Sequence, residues 1–283
     1  MNSLDSARII CKNLAMRHYE NFPVGRFGVP KVRRPDIHAI YAFARIADDF
    51  ADEPEYEGRR IELLDDWQRQ LDEIVAGKGA EHPVFTALGE TIRTRNFPVS
   101  LLSDLLSAFK QDVVKQRYES WEEVLDYCRR SANPVGRLVL HVCGQSRDEL
   151  LPMSDALCTG LQLANFWQDL SVDHARGRSY IPMDDARRHG VDVEALVRGE
   201  PQPGFPALFA ELTGRTRAMY ETARALPGQL RGGLRIEIAA TWHGGRTILE
   251  RAAALGDQAL RRRPGLSMVD KAAIVLKSLT GRA

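Results

Sequence analysis

The stretch Ile40-Tyr41-Ala42-Phe43-Ala44-Arg45-Ile46-Ala47-Asp48-Asp49-Phe50-Ala51-Asp52 decides the fold. Tyr41, Arg45, Asp48 and Asp52 follow one another at +4, +3 and +4, so on a helix of 3.6 residues per turn they share one face. Asp49 points about 100° away from Asp48 by the same geometry. The remaining positions are apolar, and the segment reads as an amphipathic helix with a polar stripe. Outward from it the helical period governs the whole chain, and no sustained apolar/polar alternation indicates strands. Helices are expected at roughly 4–19, 36–53, 57–76, 84–95, 100–116, 120–143, 148–176, 205–226, 229–255 and 267–279. Their starts are legible: Pro35-Asp36, Pro98-Val99-Ser100, and Ser120 with Glu123 three residues later as a capping box. Residues 20–35, with Pro23, Gly25, Gly28 and Pro30, and the run from Pro201 to Pro206 are irregular connectors, too short for interdomain linkers. One all-α domain over residues 1–283 is the expectation.

A second stripe lies in Gln162-Leu163-Ala164-Asn165-Phe166-Trp167-Gln168-Asp169-Leu170-Ser171-Val172-Asp173. Gln162, Asn165, Asp169 and Asp173 are spaced +3, +4 and +4, again one polar line on an apolar helix. Like charges at i, i+4 destabilise an exposed helix by roughly 0.2–0.5 kcal/mol, and by more when desolvated. A cation that neutralises the pair removes that cost. A single DxxxD is most simply a solvated acidic surface. Two of them, each extended by further polar residues on the same face, point to function. Carboxylate and amide oxygens with no His or Cys beside them suit Mg²⁺, which takes one or two carboxylates and completes its shell with water and phosphate oxygens. Spacing alone therefore leads to Mg²⁺ and a phosphorylated ligand.

Composition excludes several other classes. The 283 residues hold 39 Lys+Arg against 38 Asp+Glu, a net charge of +1, so no strong overall field favours nucleic acid or an anionic membrane. With 44% hydrophobic and 27% charged residues the chain is not disordered as a whole. Cys11, Cys128, Cys143 and Cys158 show neither CxxC nor zinc spacing and read as buried thiols of a reducing compartment. No run approaches the length of a membrane span, and Lys12 and Asn13 interrupt the start where a signal peptide would be apolar. A cytoplasmic protein is expected, with peripheral contact at the inner membrane face left open by local patches.

The two stripes, in YAFARIADDFAD and QLANFWQDLSVDHARGRSYIP, resemble the aspartate-rich signatures of the squalene and phytoene synthases, the head-to-head prenyl transferases. Tyr127-Cys128-Arg129-Arg130-Ser131-Ala132-Asn133-Pro134-Val135-Gly136 resembles their third signature, and His18-Tyr19-Glu20-Asn21-Phe22 falls where they keep a substrate-contacting segment. HYENFPV and SANPVGRLVL look most like the bacterial hydroxysqualene synthases of hopanoid biosynthesis, although many relatives carry Ala-Gly where Asn133-Pro134 stands and Ser where Asn21 stands. The resemblance implies an isoprenoid synthase helical fold around a central cavity. It implies conversion of presqualene diphosphate to hydroxysqualene by water, with Mg²⁺ and without NADPH. It also implies work beside a presqualene diphosphate synthase and a hydroxysqualene-reducing enzyme. Asp48, Asp52, Asp169 and Asp173, helped by Asn165 and Gln162, would hold the metal, and Arg45 the diphosphate. Phe22, Tyr41 and Tyr127 would face a carbocation. His18, Asn21, Arg176 and Arg178 are substrate-binding candidates.

Asn133-Pro134 carries a further expectation from the residues themselves. Pro134 inside a helix should kink it and free the carbonyl of Arg130, and Asn133 beside it could hold the quenching water. Condensation of two prenyl diphosphates on the same fold is the alternative reaction. A catalytically dead helical assembly factor is the non-enzyme alternative, and the presence of all four aspartates argues against it. Arg261-Arg262-Arg263 reads as a solvated basic patch, with Arg262 or Lys271 able to close over pyrophosphate. Gly232-Gly233 and Gly244-Gly245 lack a dinucleotide context and read as close packing or bends.

Overall fold

Arg34–Asp52 forms one unbroken helix in a computed structural model that describes residues 3–17 and 28–280. Pro35 sits in its first turn, and Ala39, Phe43, Ala47 and Ala51 recur every four residues on its buried side, with Ala42 beside them. The same logic repeats along the chain. The first eight helices are α1 (Ser3–Arg17), α2 (Arg34–Asp52), α3 (Arg60–Val75), α4 (Pro83–Arg95), α5 (Ser100–Val114), α6 (Trp121–Ser131), α7 (Asn133–Val142) and α8 (Leu151–Gln168). Then follow α9 (Leu170–Ala175), α10 (Met183–Arg188), α11 (Val193–Val197), α12 (Phe205–Ala223), α13 (Leu226–Gln229), α14 (Gly232–Leu255) and α15 (Met268–Thr280). Among the described residues the only β pairing is an isolated bridge between Tyr118 and Pro182, so the fold is all-α. No described helix is long and apolar enough to cross a membrane. None of the four cysteines is in a disulfide, and burial pushes the Cys11 thiol up to about 11.

The helices fall into two compact units, Met1–Val114 with Pro134–Ser146, and Lys115–Asn133 with Arg147–Ala283. In the first, α2 packs against α1, α3, α4 and α5. Phe43 of α2 stacks on Trp67 at 6.1 Å between centroids and meets Phe85 edge-on, while the Trp67 indole donates to the Phe43 carbonyl at 3.2 Å. The buried carboxylate of Asp36 accepts from Arg95 at 2.7 Å and from the Thr91 hydroxyl at 3.3 Å, which satisfies a charge that would otherwise be costly there.

The second unit is centred on α8, α12 and α14, which approach closely because glycine stands where they meet. A Cβ at Gly160 would lie 3.3 Å from Tyr220, and one at Gly245 only 2.4 Å from the Tyr220 hydroxyl and 2.5 Å from Leu161. Gly245 thus fulfils the close-packing expectation, whereas Gly244 beside it faces open space. Trp167 and Trp242 anchor the same core by donating to the Thr216 hydroxyl and the Tyr220 carbonyl, each at 2.8 Å.

The structure corrects two expected helices. The segment expected at 120–143 is divided at Ala132, so Pro134 stands in the first turn of α7 rather than inside a kinked helix. A proline there costs little, since first-turn amides have no intrahelical acceptor anyway. The segment expected at 148–176 is divided at Asp169, whose φ −101° and ψ 11° lie outside the helical well. The capping box is present in modified form: Ser120 Oγ accepts from the Glu123 amide at 3.2 Å, and Glu123 reaches back to the amide of Glu119 at 2.6 Å rather than to Ser120.

Candidate active site

On α2 the polar stripe is organised by Arg45, which donates to Asp48 at 3.1 Å and to Asp49 at 2.5 Å. Asp49, excluded from the stripe by its angle, therefore still serves the arginine. The Arg45 Nε is buried with no hydrogen-bond partner among the described residues. Burial, and then the charge of Asp52 one turn on, push the Asp48 carboxyl up to about 6 against the pull of Arg45. Burial likewise raises the Tyr41 phenol.

Tyr41, Arg45 and Asp48 form the polar part of an otherwise apolar cavity of about 280 Å³ within the first unit. Ile37, Ile40 and Ala44 of α2, Leu105 and Phe109 of α5, and Val135, Leu138 and Val139 of α7 supply its walls. From Ile37 to Asp48 the cavity follows about 16 Å of the helix axis at 1.5 Å per residue. An apolar channel beginning at a charged end suits a chain-like hydrocarbon with an ionic head.

In the second unit the stripe is bent. Gln162 and Asn165 lie on α8, Asp173 on α9, and Asp169 at the break between the two helices. The Asp173 amide still donates to the Asp169 carbonyl at 2.9 Å, and Asn165 Nδ2 donates to the Asp169 carboxylate at 3.2 Å. Arg263 grips both oxygens of Asp169 with its fork, where the sequence suggested a solvated basic patch with Arg262 or Lys271 as the groups able to reach pyrophosphate. Arg262 turns instead to Gln258 at 3.1 Å. Arg176 is exposed and Arg178 half-buried in the turn after α9.

Tyr127 is buried among Tyr118, Phe166 and Tyr180, the last two stacked 3.7 Å apart at 5°. Asn133 is also buried, its Oδ1 accepting from the Thr159 hydroxyl at 2.9 Å, which ties the α6–α7 break to α8. His18, Asn21 and Phe22 lie outside the described residues. Among the described residues no three His, Cys, Asp or Glu side chains are gathered as a metal cluster. Each stripe offers two carboxylates, which is what Mg²⁺ takes when phosphate and water complete its shell.

Residues 15–270 match the squalene/phytoene synthase family. The chain belongs to that family. It is 36% identical to a hydroxysqualene synthase of Sinorhizobium fredii over 228 residues, covering 80% of this chain and 76% of that one. A hydroxysqualene synthase of Rhodopseudomonas palustris is 37% identical over 214 residues, covering 75% and 72%. Among solved structures, a squalene synthase from Alicyclobacillus acidocaldarius superposes with a TM-score of 0.83 at 36% identity, covering 92% of this chain and 96% of that one. As a squalene/phytoene synthase family member the chain is an enzyme of isoprenoid synthesis with the family's all-α fold. Sequence reasoning missed three features: in the second unit, Arg263 and the Tyr118 and Tyr180 partners of Tyr127, and in the first, the α5 and α7 walls of the cavity. For Arg263 the only signal was the basic run itself.

Proposed function

We propose that the chain converts presqualene diphosphate and water to hydroxysqualene and diphosphate with Mg²⁺. The observation that carries this reading is the apolar cavity whose charged end is made of Arg45 and Asp48 of the first stripe. The donor set fits the metal: hard oxygens, paired like charges, and an Asp48 carboxyl whose pKa is raised partly by its neighbour. Asp48 and Asp52 in one unit, and Asp169 and Asp173 with Asn165 and Gln162 in the other, are assigned as the residues that hold it. Mg²⁺, when bound, supplies charge stabilisation for the departing diphosphate.

This chain's own groups do the rest. Arg45 binds diphosphate oxygens through a guanidinium already oriented by Asp48 and Asp49, and Arg176 and Arg178 add positive charge. The C–O bond breaks with its electron pair leaving on diphosphate. Tyr41, Tyr127 and, outside the described residues, Phe22 are assigned to face the resulting carbocation with ring electrons that attract it without attacking. A water oxygen then forms the new C–O bond and releases one proton, so no reductant enters the balance. His18 and Asn21 belong to the substrate-binding segment on this reading. On this reading residues 1–283 are one isoprenoid synthase domain. The enzyme acts in the cytoplasm and touches the inner membrane face, between an enzyme that makes presqualene diphosphate and one that reduces hydroxysqualene.

Product analysis tests the reading. Presqualene diphosphate, farnesyl diphosphate and geranylgeranyl diphosphate are offered separately with Mg²⁺, with and without NADPH. Hydroxysqualene from the first, unchanged by NADPH, is expected. Squalene formed only with NADPH, or phytoene from geranylgeranyl diphosphate, overturns the assignment in favour of a condensing or reducing relative. Asn133 supplies a finer test. An amide fixed by Thr159 can hold a water at a set point, so Asn133→Ala should divert product from the alcohol toward elimination products while diphosphate release continues. Hydroxysqualene as the sole product of that variant would leave Asn133 with only the task of tying the helix break.

A further inference from the structure

Helix α15 exposes Met268, Val269, Val275, Leu276 and Leu279, each between 56% and 78% accessible. Large apolar side chains elsewhere in the second unit are buried or only moderately exposed, as with Val172 at 39% and Ile236 at 41%. At about 100° per residue the five fall within an arc of about 120°. Ile274 and Ser278, the buried positions of α15, lie on the opposite side, where the helix packs against α14. Asp270, the acidic residue of α15, is neutralised by Arg251 of α14 at 2.6 Å. Lys271 and Lys277 bracket the apolar arc, one on each flank, both exposed and in no ion pair among the described residues. Arg261 and Arg262, also exposed, precede the helix.

We infer that the outer face of α15 is a docking surface for an anionic phospholipid bilayer, with the helix lying in the interface. The inference extends the membrane contact of the proposed function to a named surface, and it rests on exposure and charge rather than on the reaction. An apolar arc flanked by lysines is the arrangement of an interfacial helix: the apolar residues enter the acyl boundary while the ammonium groups reach up to the headgroups along their methylene stems. Tethering of the opposite face to α14 presents the arc ready formed, so no helix has to fold on the lipid. A second copy of this chain fits less well, because an isologous pairing of two such faces would bring four lysines together without a counter-charge.

The test is flotation of the full chain with vesicles of phosphatidylcholine alone and of phosphatidylcholine with about 30% phosphatidylglycerol. The wild type should float with the anionic vesicles and, more weakly, with the neutral ones. Leu276→Ser with Leu279→Ser should bind both at least about tenfold less. Lys271→Gln with Lys277→Gln should lose about tenfold on anionic vesicles and little on neutral ones, and high salt should copy that loss. Val114→Ser, a substitution at a residue 74% exposed at the end of α5, should bind as the wild type does. Circular dichroism confirms that each variant keeps its helices. Failure of the wild type to float, equal flotation of the leucine variant, or a dimer in solution that the leucine variant dissolves would each overturn the inference. None of these readouts depends on which diphosphate the enzyme consumes.

Discussion

Asp48→Asn and Asp169→Asn should each lower turnover by about a hundredfold or more, with the far-ultraviolet circular dichroism unchanged. Each substitution removes one of the two carboxylates on its stripe while keeping shape and helix. In the first unit the change also relieves repulsion with Asp52 and leaves Arg45 its contact to Asp49 at 2.5 Å, so the protein without metal should melt no lower than the wild type. In the second unit the change weakens the fork that the exposed Arg263 makes on the more covered Asp169, at a cost of about 1 kcal/mol. Activity and stability thus separate. Steady-state rates at saturating Mg²⁺, set beside melting curves, check this. Near-normal turnover in both variants would remove the aspartates from the metal assignment, and loss of helicity would make them structural.

Gly204→Ala should destabilise the protein by about 3 kcal/mol, although the change adds a single methyl. A Cβ at this position would lie 1.9 Å from the His189 carbonyl oxygen and 3.0 Å from Val191. The obstructing atom is backbone, so no rotamer change relieves it. The start of α12 would have to move, and with it Phe205, Leu208 and Phe209, which are fully buried. Gly214→Ala in the same helix meets nothing within 4 Å and should be neutral or stabilising by up to about 1 kcal/mol, because alanine restricts the unfolded chain. Denaturant titration of the two variants reads the contrast directly. Equal midpoints would mean that the α10–α12 approach yields more readily than its packing implies.

How much of this was legible depends on how locally each feature is encoded. The stripe Tyr41, Arg45, Asp48, Asp52 announces itself because helix geometry maps spacing onto a face, and α2 runs unbroken through it. The break at Asp169 carries no such signal: Gln168-Asp169-Leu170 contains neither Gly nor Pro. Pro134 did mark the other break, yet only the structure shows the helix restarting at Asn133 rather than bending. Helices α10 and α11, of six and five residues, are too short to display a period. The fork from Arg263 spans 94 positions, and no spacing rule reaches that far. Leu138 and Val139 look like any core residues, since the walls of an apolar cavity obey the same pattern as a filled interior.

The chain crosses between the two units three times, after Val114, after Asn133 and after Ser146. This route has a consequence for synthesis on the ribosome. Helix α7 is the last piece of the first unit to be made, and it is preceded by α6, which belongs to the second. A nascent chain that ends at Val114 lacks Val135, Leu138 and Val139, so one wall of the cavity along α2 is missing. Its apolar lining stays open to water, and to chaperones, until residue 146 has emerged. Domain-by-domain folding in order of synthesis is therefore closed to this enzyme. The first unit waits for a segment that arrives only after the second has begun.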